Sequence, residues 1–136
     1  MQTSFIHLRV SSEFSISRGL LRINEIIENA QKLNMPAVAL SDLNNMFGMV
    51  KFFKKAEAAG IKPIAGTILN LRSRSGELGE ILCLAKNNDG LKSLMGIISQ
   101  SQLQQENGYI SITFEDLSSC VGNIVVISGG AASSIF

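Results

Sequence analysis

The 136-residue chain holds one histidine, His7, which alternates with Arg9 and Ser11 along its first apolar stretch. One histidine with no serine or cysteine nucleophile motif does not define a hydrolytic triad, so a structural hydrogen bond is its expected role. Cys83 and Cys120 show neither metal-ligand spacing nor a disulfide framework. Cys83 lies in the apolar run 81–85 and reads as a small core residue. Ser128-Gly129-Gly130 follows a strand-like run but lacks the Gly-Lys-Ser/Thr ending of a phosphate loop, so it reads as a plain turn. Phe47, Phe52 and Phe53 interleave with Lys51, Lys54 and Lys55, as in surfaces that stack single-stranded nucleic acid. Helical spacing turns Phe53 inward and the lysines outward, which makes this stretch core plus solvated face.

These side chains depend on elements that the hydrophobic periodicity predicts. Residues 5–11 alternate, with Ile6, Leu8 and Val10 on one side and His7, Arg9 and Ser11 on the other, as in a half-buried strand. Ile23, Ile26, Ile27, Ala30 and Leu33 recur at helical spacing, with Asn34 as a left-handed stop before Pro36. Residues 37–40 form a wholly apolar strand of the kind covered on both faces. Asn44 and Asn45 are expected to cap a second helix that turns Val50, Phe53 and Ala56 inward and closes at Gly60. Strands follow at 63–71 and 80–85, separated by the polar turn 73–79. Asn87-Asn88-Asp89 caps a helix carrying Leu91, Leu94, Met95 and Ile98. Thr113 to Asp116 has capping-box form, with Asp116 in place of the usual Glu. A last apolar strand spans 123–128. Strands alternating with helices in this way predict an α/β fold with a largely parallel sheet. The chain stops at Phe136, just after a strand and a Gly-rich turn, where a parallel sheet would continue with a helix; it therefore reads as a truncated domain.

Composition narrows the function classes. With 46% hydrophobic and 17% charged residues the chain can build a core. A net charge of +1 is far from the strongly basic balance of a domain built mainly to grip DNA phosphates. No basic leader precedes an apolar run, and no run approaches the ~20 apolar residues of a membrane span. The expected location is the cytoplasm, without a membrane partner.

Four stretches together resemble one family: HLRVSSEFSISRG (7–19), MPAVALSDLNNMFGMVKFFKKAEAAGIKPIAG (35–66), LCLAKNNDGLKSL (82–94) and IVVISGG (124–130). In order and spacing they are similar to the amino-terminal PHP (polymerase and histidinol phosphatase) domain of the alpha, catalytic subunit of bacterial DNA polymerase III. The resemblance covers nearly the whole chain, and 35–66 is its most specific part. It implies that residues 1–136 are the first half of a distorted TIM-like (β/α)7 barrel with mostly parallel strands, and that the polymerase domains lie outside this chain. In such barrels the site lies at the carboxyl ends of the strands.

Metal-dependent phosphoesterases need several His, Asp and Glu side chains converging on their ions. The resemblance places the family's ligand positions one by one. The first strand's His-x-His falls on Arg9 and Ser11, and the loop Asp before the glycine falls on Arg18. The His that ends the Thr-Asp-His strand falls on Leu43, after Ser41 and Asp42. The Glu two residues after Gly66 falls on Ile68. The His opening the fourth strand falls on Glu80, and the Cys ending the fifth falls on Gly130. Arginine has no free lone pair to offer an ion. No catalytic residue and no metal or other cofactor is therefore expected in this segment; Mg2+ would belong to the parent polymerase. His7, Arg9, Arg18 and Asp42 remain as a relict polar cluster. An Asp42 pair with Arg9 or Arg18 is the expected replacement for the ions.

What the resemblance implies is a non-catalytic structural and docking segment of the replicative polymerase. Its expected partners are the rest of the alpha subunit and the proofreading exonuclease (epsilon) subunit, with DNA reached only through the parent enzyme. Two other readings make it an active phosphoesterase or 3'-5' exonuclease, or a remnant of a split polymerase gene without function of its own.

Overall fold

A computed structural model describes residues 5–130. The truncation expected at Phe136 falls outside them. The helical stripe predicted first forms α1 (Ile23–Lys32), and Ile23, Ile26, Ile27 and Ala30 are all buried. Asn34 sits at φ 53 and stops the helix. The Met35 and Asn34 N–H groups donate to the Ala30 and Gln31 carbonyls at 2.9 and 3.0 Å, which satisfies the last-turn acceptors. β1 (Ala37–Leu43) follows. α2 (Met49–Ala58) comes next and closes at Gly60 as expected.

α2 departs from its expected start and phase. Its N-cap is Gly48, with no side-chain cap. Asn44 lies at φ 52. The Asn45 carbonyl oxygen accepts from the Phe47 N–H at 3.2 Å, while its amide donates to the Phe14 and Leu43 carbonyls. Both asparagines shape the turn ahead of the helix. Met49, Phe52 and Ala56 form the buried stripe, Phe53 is half-buried, and Val50 is 69% exposed. The helix is thus rotated by about one residue from the expected face.

β2 (Lys62–Arg72), β3 (Leu78–Ala85), α3 (Asn88–Leu103), α4 (Phe114–Ser118) and β4 (Ile124–Ser128) complete the order. Asn87 caps α3 by accepting from the Gly90 N–H at 2.8 Å. Leu94 and Ile97 are buried on α3, whereas Met95 is 53% exposed. The Thr113–Asp116 capping box forms as predicted.

The sheet order is β1-β2-β3-β4. β1 and β2 pair in parallel, but β3 is antiparallel to both β2 and β4. The expectation of mostly parallel strands is corrected here: β1, β2 and β4 share a direction, yet two of the three pairings are antiparallel. The cause is the connection at 73–77. The Ser73 N–H donates to the Glu77 carbonyl at 2.8 Å, and Gly76 sits at φ 89. So short a link makes a hairpin; a parallel crossover needs a dozen residues or more.

Residues 5–11 are extended but form no regular strand. The Ala39 and Ser41 N–H groups donate to the His7 and Val10 carbonyls, at 3.0 and 2.8 Å. Three residues of the segment oppose two of β1, a one-residue excess like a bulge. The Ser41 hydroxyl fills the break by accepting from the Val10 N–H at 2.9 Å.

Alternation divides the sheet into two faces. The helix-side face holds Val38, Leu40 and Ala65 against α1 and α2, and Leu69, Leu71, Ile81 and Cys83 against α3. Cys83 is core, as expected; burial first, and then Cys120, push its thiol up to about 12, so it stays protonated. The opposite face carries Ala39, Ile68, Leu82 and Leu84, with Leu8, Leu43 and Ile64 packed against them. No helix among the described residues is long and apolar enough to cross a membrane.

Candidate functional site

The carboxyl ends of β1, β2 and β4 and the start of β3 lie at one end of the sheet, because β3 alone is reversed. Glu80 lies near the start of β3 there, opposite Asn70 of β2. It shares a face with Leu82 and Leu84, since side chains two apart point the same way. Its carboxylate is 11% exposed and holds two guanidiniums. Arg9 Nη2 donates to Oε2 at 2.8 Å, and Arg18 Nη1 donates to Oε1. The arginine side chains are 45% and 50% exposed, so the acid is buried and its partners form the rim.

Arg9 arrives on the extended amino-terminal segment, and Arg18 on a loop built around a second acid. Asp42, near the end of β1, is 1% exposed and faces the helix side. Its Oδ1 accepts from the Ser12 N–H at 2.7 Å and the Ser15 hydroxyl at 2.6 Å; its Oδ2 accepts from the Ser12 hydroxyl at 2.8 Å. The Ser15 hydroxyl accepts in turn from the Leu43 N–H, and the Ser15 carbonyl accepts from the Arg18 and Gly19 N–H groups. Gly19 runs so close that a Cβ there would lie 1.7 Å from the Ser12 carbonyl oxygen. The loop is therefore folded tightly over Asp42, with Arg18 projecting from it. Beyond it, a Glu13 carboxylate oxygen accepts from the Ile23 N–H at the start of α1.

The expected Asp42–arginine pair is thus corrected. Asp42 and Glu80 sit on opposite faces, and three serine and backbone donors already saturate Asp42. The structure brings Arg9 and Arg18 together, as the relict cluster required, but around Glu80. His7 stays apart: its ring is exposed and meets Phe5 edge-on at 4.7 Å. Its carbonyl, rather than its ring, makes the hydrogen bond to β1.

The other positions the resemblance singled out converge only in part. Leu43 and Ile68 pack into the apolar cluster beside Leu82. The Ser11 hydroxyl donates to the Ser41 carbonyl at 3.3 Å. Gly130 lies at φ 66, after a Gly129 whose Cβ would fall 2.2 Å from the Glu80 carbonyl oxygen. The turn after β4 therefore packs directly on Glu80. Among the described residues no group of three or more His, Cys, Asp or Glu converges. One carboxylate already holding two guanidiniums, over an apolar floor, does not fit a multi-ion centre. Reasoning from sequence missed Glu80 as the hub and Ser12 and Ser15 as ligands of Asp42. The legible signals were a lone acid opening an apolar strand and the serine-rich run at 11–17.

The model of the PHP domain family matches residues 7–136. A DNA polymerase III subunit alpha from Pseudomonas aeruginosa is 38% identical over 138 residues, covering 99% of this chain and 12% of the relative. That of Vibrio cholerae is 36% identical over 136 residues, covering 96% of this chain and 12% of the relative. The Escherichia coli subunit is 39% identical over 99 residues, covering 71% of this chain. This chain thus spans a small fraction of the relatives it matches. Among solved structures, a presumed metal-dependent phosphoesterase from Bifidobacterium adolescentis superposes with a TM-score of 0.60 at 16% identity, covering 74% of this chain and 34% of that one. An amidohydrolase from Chromobacterium violaceum, holding sulfate and no metal, superposes at 0.54 with 20% identity, covering 72% and 32%. Both are likenesses of fold.

Proposed function

Because this chain belongs to the PHP domain family, in the form found in DNA polymerase III alpha subunits, we propose that it is a non-hydrolytic structural segment of a replicative DNA polymerase. The observation that carries this reading is the Arg9–Glu80–Arg18 cluster. Where metallo-phosphoesterases gather anionic and imidazole ligands around cations, this chain gathers two cationic side chains around one acid. The cations are supplied by the protein, so the strand ends are held together without ions, and among the described residues no side chain there is placed to activate water.

In this reading the described sheet is one side of a TIM-like barrel. On the face away from the helices, Ala39, Ile68, Leu82 and Leu84 form part of the barrel interior, and the exposed Val125 and Ile127 of β4 pack once the barrel is closed. The segment works in the cytoplasm as part of the alpha subunit. It stabilises that subunit and docks the proofreading exonuclease, while DNA and Mg2+ are handled by the polymerase domains.

The test is elemental analysis and a phosphoesterase assay on the full chain carrying this segment, purified without chelator. Substoichiometric zinc and manganese with no hydrolysis of a phosphate-ester substrate is the expected outcome. The fold likeness to a presumed metal-dependent phosphoesterase supports the opposing reading. That reading wins if metal copurifies near one equivalent or more and hydrolysis disappears on Glu80→Gln.

A further inference from the structure

The hairpin at 73–77 omits a helix from the outer layer. α1 packs against α2, but α2 and α3 stand apart, because no crossover helix joins β2 to β3. An apolar groove of about 290 Å³ runs between them, lined by Met49, Val50, Phe53, Lys54, Glu57 and Leu91. Met95 lies one turn after Leu91 on the same face of α3. Val50 and Met95 are 69% and 53% exposed. Further along that face, Gln102 Nε2 donates to the Asn44 carbonyl at 3.3 Å, which closes the groove at the start of α2. At its other end the groove opens into an apolar cavity of about 470 Å³, which shares Phe53 and Leu91 and adds Lys62 and Lys86.

Closing a barrel does not fill this groove. The helix after β4 lies over β4 and its next neighbour, on the far side of α3 from α2. The occupant therefore comes from outside the barrel. A trough with methionine and phenylalanine walls adapts to the apolar face of an amphipathic helix. Its charge is one-sided. Lys54, Lys62 and Lys86 stand against Glu57, and none of the four has an ion-pair partner among the described residues. That balance favours a helix whose polar flanks are acidic. This chain covers 12% of the polymerase subunits it matches, so most of each such chain lies outside it. A helix tethered in the same polypeptide meets the groove at a high effective concentration, which a free partner lacks. We propose that the groove between α2 and α3 docks an acidic amphipathic helix of the same polypeptide, from beyond residue 136. The inference rests on the reading of this chain as a segment of a longer subunit. It does not depend on the state of the strand-end site, which the metal and phosphoesterase measurements test separately.

The test is zero-length carbodiimide coupling of lysine to carboxylate in the full chain carrying this segment, with the joined peptides read by mass spectrometry. Lys54 and Lys62 are expected to join to aspartates or glutamates beyond residue 136 of the same chain. Val50→Asp adds a like charge to the groove at an exposed position, and should lower that yield about tenfold or more. Leu33→Asp, equal in charge and 63% exposed at the end of α1, should leave it unchanged. Coupling of neither lysine, or coupling only within residues 5–130, overturns the proposal. So does coupling only to a second chain, which assigns the groove to a separate partner. Equal loss in Val50→Asp and Leu33→Asp also overturns it, since the coupling then follows net charge and not the groove. Copurifying metal with unchanged coupling would instead overturn the non-hydrolytic reading alone.

Discussion

Two acids tie the amino-terminal segment to this sheet, and they do so in opposite ways. Asp42 is sealed on the helix side and held by hydroxyl and backbone donors, with no cation. Glu80 lies at the mouth of the other face and is held by two half-exposed arginines. A buried carboxylate is tolerable only when its oxygens are fully satisfied, and losing one partner there carries the whole desolvation penalty. An ion pair at a wet rim is screened by solvent and contributes little. The first arrangement fixes the chain's path; the second leaves charge available at the surface.

That contrast can be broken by mutation. Asp42→Asn should have the largest effect, because an amide nitrogen would face serine and backbone donors. A loss of about 3 kcal/mol is expected in denaturant melts, and an unchanged midpoint would remove Asp42 from its role as anchor. Gly129→Ala comes next. Its methyl would meet the Glu80 carbonyl oxygen at 2.2 Å, so the β4 turn must shift at a cost of about 2 kcal/mol. The melt should be accompanied by displaced Glu80 amide resonances. Glu80→Gln should cost only about 1 kcal/mol, after discounting for the exposure of both arginines. Its penalty should shrink as salt is raised, whereas that of Asp42→Asn should not. Glu80→Gln costing more than Asp42→Asn would invert the comparison. His7→Ala should fall within about 0.5 kcal/mol of the parent, as for an exposed ring outside both clusters.

Local signals are legible in the sequence where they are complete within a few residues. Asn34 ends α1, Asn87 caps α3, and Thr113 and Asp116 form their reciprocal cap, because each involves neighbours along the chain. The α2 phase is not legible in the sequence for a related reason. Asn44 and Asn45 are good caps in isolation, but here their groups face Asn70, Phe14 and Leu43, and Gly48 starts the helix. The reversal of β3 was legible in principle, since the polar turn between the strands is too short for a crossover. Strand–helix alternation elsewhere outweighed it.

The sequence by itself determined most of the elements and the family, since these depend on residue type and near-neighbour spacing. Only the tertiary structure decided which acid the arginines meet. Asp42 and Glu80 are both lone acids on strands, and composition does not distinguish them. The one-residue excess in residues 5–11, the serine donors waiting beneath the loop and the reversed β3 together put Asp42 on one face and Glu80 on the other. Arg9 and Glu80 are 71 residues apart in the chain, and no periodicity reaches that far; their meeting is set by the sheet's register and by which face each strand turns to the helices.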